Sequence, residues 1–129
     1  MRKKKQIKRF ANWFFGEFNL PKIKIRYINA IALRMPTGVF CFGGYVYGIE
    51  NDKKYNEIYI SYNLPKNELM EVITHELIHY LQDYNSGLKT YKTEDAEKEA
   101  ENLIPVILQR WEKRISRKKG RKQGKEQYG

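Results

Sequence analysis

The sequence predicts a small α+β domain. Apolar residues recur at helical spacing near the start, at Ile7, Phe10, Ala11, Phe14 and Phe18. The period then drops to two, first at Ile23, Ile25 and Tyr27 and again at Ile58, Ile60 and Tyr62. From Leu69 onward it returns to the helical value through two long segments.

The first helix is expected from about Lys4 to Phe15, with Gly16 and Pro21 marking its end. A basic and aromatic helix of this kind also suits a membrane surface, but packing on the domain core is the expected use of its apolar face. Lys22, Lys24 and Arg26 alternate with Ile23, Ile25 and Tyr27, as on a half-exposed strand. Val39 to Ile49 is aromatic and β-branched and holds Gly43-Gly44, which reads as one bent strand or a tight hairpin. Asn51 to Lys54 is a polar turn before the strand of Ile58, Ile60 and Tyr62. Asn67 is the expected N-cap of the next helix, with Glu68 and Glu71 in its opening turns. Its apolar stripe is Leu69, Ile73, Leu77, Tyr80, Leu81 and Tyr84, and Asn85-Ser86-Gly87 ends it. A last helix should begin near Thr93, with a stripe from Ala96 through Ala100, Leu103, Ile107 and Trp111 to Ile115. Pro105 should kink or split it.

Composition bounds the rest. A chain of 129 residues suits one domain, and 41% hydrophobic with 14% aromatic residues excludes an intrinsically disordered chain. That domain is placed at residues 1–118. Residues 119–129 form a basic tail without periodicity, expected to be disordered. The net charge of +10 gathers at the ends, in Arg2-Lys3-Lys4-Lys5, Lys8-Arg9 and the run from Lys113 to Lys125. Two readings stand: solvated ends that aid solubility, or weak, non-specific attraction to nucleic acid or another acidic partner. Cys41 is the sole cysteine, which excludes an intramolecular disulfide. The apolar run Phe10 to Phe15 is too short for a signal peptide, and no stretch could span a bilayer. A cytoplasmic monomer without a membrane partner is expected.

Within the second helix lies His75-Glu76-Leu77-Ile78-His79, an H-E-x-x-H run that holds both histidines of the chain. On a helix, residues four apart sit one above the other, so two imidazoles can bind one metal from one side. Glu76, beside the first ligand, can reach a water on that metal as general base. His75 and His79 lie roughly opposite Leu77 on the helical wheel, on a side separate from the apolar stripe. Catalytic zinc needs a third protein ligand. No third histidine exists and Cys41 is distant, so the candidates are Glu94, Asp95, Glu97, Glu99 and Glu101 on the last helix. Counting from Ala100 as the centre of its apolar arc, Glu97 falls roughly 60° away, inside the arc, and Glu101 roughly 100° away, at its edge. A carboxylate inside a buried stripe needs a partner, and a metal is one. The competing reading leaves Glu97 at the margin, reaching water or a lysine.

Together these residues resemble the gluzincin branch of the zincin metallopeptidases. The likeness runs from Ile58-Tyr59-Ile60-Ser61 through the H-E-x-x-H run to Glu97-Lys98-Glu99-Ala100-Glu101. Such families carry an E-x-x-A pattern on the later helix, which Glu97 and Ala100 match, followed by Asp or Asn, where Glu101 stands. The stretch from Glu99 to Leu103 is loosely similar to the ImmA/IrrE-type peptidases of bacteria and mobile elements. SprT-type proteases share the basic character but use a histidine as third ligand. The resemblance implies a minimal zincin-like fold: a small, mostly antiparallel sheet, an N-terminal helix, a central H-E-x-x-H helix and a C-terminal helix closing the far side. It implies one Zn2+ held by His75, His79 and Glu97, with Glu76 as base and Glu101 in a supporting role. A peptide or protein substrate would pair with the strand from Ile58 to Tyr62 as an edge. Tyr84 and Tyr91 are the candidates for an oxyanion donor. The alternative is a nucleic-acid-associated binding protein with weak or latent protease activity.

Overall fold

The computed structural model describes residues 2–28, 33–34, 40–41, 43–61, 64–86 and 94–128. The elements are α1 (Arg2–Glu17), β1 (Lys24–Ile28), β2 (Leu33–Arg34), β3 (Phe40–Cys41), β4 (Gly43–Glu50), β5 (Lys53–Ser61), α2 (Lys66–Ser86) and α3 (Glu94–Tyr128). The architecture is α+β, as the alternation of periods predicts.

In α1 the helical spacing buries Ile7, Phe10, Ala11, Phe14 and Phe15. Burying each phenylalanine stabilises the fold by about 1.5–3 kcal/mol. The apolar face of α1 therefore packs on the core. Gly16 does not stop the helix. Asn19 does, at φ 53°. The Leu20 amide donates to Phe15 O at 2.8 Å and the Asn19 amide to Gly16 O at 3.4 Å, which is a Schellman closure with asparagine in the left-handed position.

The main sheet has three strands in the order β1-β5-β4. The strand pairing is mostly antiparallel, as expected: β4 pairs antiparallel to β5 and β2 to β3, while β1 pairs parallel to β5. One expectation fails here: β5 is the central strand, bonded on both sides, so the segment from Ile58 onward within it cannot take up a substrate as an edge. A period of two tells which face a side chain is on and says nothing of strand direction or neighbour. The tight turn is Asn51-Asp52 alone, with φ 52° and 62°, the type I′ geometry that suits the twist of a two-residue hairpin. Lys53 and Lys54 already belong to β5. β2 and β3 form a separate antiparallel pair, so Gly43-Gly44 opens a strand and makes no hairpin of its own.

Rows across the sheet show its inner face. Ile25, Ile58 and Tyr45 are in register, and so are Tyr27, Ile60 and Gly43. Ile58 and Ile60 are fully buried. On the other face Arg26 forks onto Glu57 at 2.9 and 3.0 Å. Gly43 marks a close approach: a Cβ there would lie 2.6 Å from Val72 Cγ1 and 3.2 Å from Tyr59 O. Glycine lets β4 press against α2 beside the H-E-x-x-H turn.

The α2 helix is central. It packs on α1, β4, β5 and α3. It opens with the Leu69 amide donating to Pro65 O at 2.9 Å, so the entry residue is Pro65, and Asn67 lies inside the helix. Leu69, Ile73, Leu77 and Tyr80 are buried as the stripe predicts, but Tyr84 is 55% exposed.

The α3 helix is continuous through Pro105, which neither splits nor ends it. Proline removes a donor to Glu101 O one turn earlier. Both residues are exposed, so water can serve that carbonyl. Ala96, Ala100 and Ile107 are buried, and Trp111 meets Phe10 of α1 edge-on and Trp13 at a tilt, at centroid distances of 5.5 and 5.4 Å. Helical backbone continues past Arg117 to Tyr128, where periodicity alone predicts an irregular tail. Lys, Arg, Gln and Glu are good helix formers and need no apolar stripe to continue a helix already started. No described helix is long and apolar enough to cross a membrane.

Candidate metal centre

His75 and His79 stand one turn apart on α2, with ring centroids 4.4 Å apart. Both turn Nε2 on the same carboxylate. Glu97 Oε2 lies 3.1 Å from His75 Nε2, and Glu97 Oε1 lies 2.8 Å from His79 Nε2. One donor atom from each of the three residues falls within 4.8 Å of the others. The helix phase that points Glu97 at α2 is therefore met. The expected burial is not: Glu97 is 48% exposed, at the rim, and not inside a dry stripe. Among the described residues no lysine pairs with it, and its neighbour Lys98 leans on Glu94 at 3.8 Å.

The donor set is apt for a cation. Two imidazole nitrogens and two carboxylate oxygens face each other, and each lone pair needs a proton or a metal between it and the next. Two nitrogens and one carboxylate are a set that catalytic zinc uses, leaving one position for water. His79 is buried, with 5% of its side chain exposed, while Glu97 opens to solvent, so the cluster is held from below and reached from above.

Glu76 is buried with 8% of its side chain exposed, and His75 Nδ1 donates to its Oε1 at 3.1 Å. That carboxylate raises the His75 pKa to about 9 against the opposing effect of burial, and Glu97 adds to the rise. Two carboxylates, of Glu76 and Glu97, thus flank the His75 ring. Glu76 Cγ also lies 3.5 Å from where a Cβ on Gly43 would stand, so the start of β4 borders the site.

Other residues singled out by sequence lie elsewhere. Tyr84 is roughly 180° round α2 from His75 and roughly 140° from His79, edge-on to Tyr80 at 6.3 Å. Tyr91 lies outside the described residues. Glu101 is exposed, and the acid that meets α2 beside Glu97 is Glu99. The sequence reading missed Gln82, whose side chain accepts from His79 Nδ1 at 2.9 Å. Its position, one turn after His79 on the same face, was the signal. It also missed a buried polar cluster on the sheet side of α2. There the Tyr45 hydroxyl donates to Asp83 Oδ2, and Asn56 Nδ2 reaches Tyr45 Oη and Asp83 Oδ2. Burial first, and then the bond to Asp83, raise the Tyr45 pKa, which keeps that hydroxyl a donor.

Comparison with family models, with curated proteins and with solved structures found no match.

Proposed function

We propose that this chain is a zinc-dependent peptidase of the zincin type. His75, His79 and Glu97 hold one zinc, and Glu76 is the general base. The observation that carries the reading is the convergence of three donors, one of them 22 residues from the first, on a point beside a buried glutamate. A coincidental H-E-x-x-H run has no reason to face a carboxylate from another helix.

When bound, zinc supplies Lewis acidity and brings the pKa of a coordinated water towards about 7. Glu76 takes a proton from the attacking water and passes it to the leaving amine. Its near-complete burial against β4 limits its motion and keeps it at that station. The peptide or protein substrate enters over the exposed Glu97 side, along the border that β4 makes with α2.

Two measurements test this. Purified protein incubated with excess zinc and then freed of loose metal should hold one zinc per chain by elemental analysis. Unfolded casein should be hydrolysed by the wild type and about 100-fold or more slower by Glu76→Gln, which keeps its zinc. No bound zinc sinks the metal reading. Equal hydrolysis by both proteins removes Glu76 as base.

A second reading, of a protein that also associates with nucleic acid, has one favouring observation. Lys4, Lys5, Lys8 and Arg9 are all exposed on the solvent side of α1, and Lys113, Arg114 and Arg117 are exposed on α3. Binding to a random-sequence duplex should weaken steeply with salt, because phosphate contacts release counterions. Deleting residues 118–129 should flatten that dependence and leave zinc binding alone.

A further inference from the structure

We infer that Gln82 is a positioning residue of this centre: it sets the tautomer of His79 and ties α2 to the turn of α3 that carries Glu97. The inference rests on the zinc reading above.

The amide's orientation is forced by its partners. Gln82 Nε2 lies 2.9 Å from Ala96 O and 2.9 Å from Glu99 Oε1. A main-chain carbonyl and a carboxylate only accept, so the NH2 end faces them, with two protons for two acceptors. Gln82 Oε1 is then the atom 2.9 Å from His79 Nδ1. That oxygen also only accepts, so Nδ1 carries a proton. In the neutral imidazole the other nitrogen is bare, and it is this Nε2 that faces Glu97 at 2.8 Å. Gln82 thus selects the tautomer whose lone pair points into the donor cluster.

The same side chain acts on the third donor. Ala96 and Glu99 flank Glu97 in sequence, and both are held by one amide. Their bonds fix how that turn of α3 is rotated towards α2. Gln82 and Ala96 are each 8% exposed, so water competes poorly for the bond between them. A neutral amide also orients His79 without adding a further negative charge next to Glu76 and Glu97.

The experiment compares wild type with Gln82→Leu, Gln82→Glu and the double variant Gln82→Glu/Glu99→Gln. Zinc affinity is read by competition with a chromogenic chelator, folding by circular dichroism. The His79 tautomer is read by 15N shifts of zinc-free protein brought to the neutral imidazole. Gln82→Leu should fold, bind zinc about 10–100-fold more weakly, and lose the Nδ1–H signature. Gln82→Glu keeps the acceptor for His79 but sets two carboxylates together, and should also bind weakly. The double variant restores a donor opposite the introduced carboxylate and should recover most of the affinity. A folded Gln82→Leu with wild-type affinity and an unchanged tautomer overturns the inference. Should Gln82→Leu not fold, a folded double variant no tighter than Gln82→Glu overturns it equally. A wild type that binds no zinc defeats the function reading instead, and the tautomer in the zinc-free protein still decides the role of Gln82.

Discussion

Removing the Glu97 carboxylate is the sharpest perturbation this structure offers. The residue is 48% exposed, and its carboxylate meets both Nε2 atoms, at 2.8 and 3.1 Å. Glu97→Ala should therefore spare the fold and strike the metal. Loss of a partner that merely supports a ligand costs about 10–100-fold in metal affinity, so loss of a ligand should cost at least about 100-fold. Mass action converts this into melting behaviour. With free zinc at about 100 times the wild-type Kd, the wild type gains about 2.7 kcal/mol, whereas a variant binding about 100-fold more weakly gains only about 0.4 kcal/mol. At an unfolding entropy of about 2.1 cal/mol/K per residue, about 1 kcal/mol is about 4 °C for a chain of 129 residues, so the zinc-dependent rise in Tm should fall by about 8–9 °C. The assay is thermal unfolding in chelator-buffered zinc, beside direct titration. Glu94→Ala is the control, since among the described residues that carboxylate pairs with Lys98 and not with the histidines. Glu101→Ala tests the neighbouring turn. If Glu97→Ala shows the full wild-type rise, the third-ligand assignment is wrong. If Glu101→Ala loses the rise instead, the ligand moves to that residue.

Three further outcomes are expected. Gly43→Ala sets a Cβ 2.6 Å from Val72 Cγ1 and should lower stability by about 1–3 kcal/mol in chemical unfolding, with Val72→Ala in the same chain recovering part of the loss. Gly16 is helical with nothing near its open side, so Gly16→Ala should raise stability by about 0.4–1 kcal/mol; a loss would mean the residue is not helical in solution. Zinc affinity should climb with pH up to about 9, because His75 holds its proton below that pH and the metal must displace it. In the zinc-free protein the same raised pKa stabilises the fold below about pH 6.5, and that contribution is lost as the pH rises through about 9; an isothermal titration series and unfolding at several pH values check both signs.

Much of the site was legible because helix geometry is local. Four-residue spacing alone puts His75 and His79 on one face, and counting at 3.6 residues per turn alone aims Glu97 at α2 rather than Glu101. The same arithmetic missed Gln82, although it shares that face, because glutamine offers no distinctive chemistry until its partners are known. It also misjudged how dry Glu97 is, since an apolar arc marks a direction and not a depth.

What the sequence by itself determined is therefore the three helices, the strands of alternating period and the faces they bury, though not β2 or the division of β3 from β4: Phe10 and Phe14 inward on α1, Ile58 and Ile60 inward on β5, the histidines together on α2. Those follow from periodicity, which each segment carries alone. Tertiary structure alone decided that β1 runs parallel to β5, that β5 is central, that Gly43 brings β4 against Glu76, and that Gln82 joins α2 to α3. Each of these depends on which segment lies beside which, and a period encodes only which side of an element faces inward, never what it meets there.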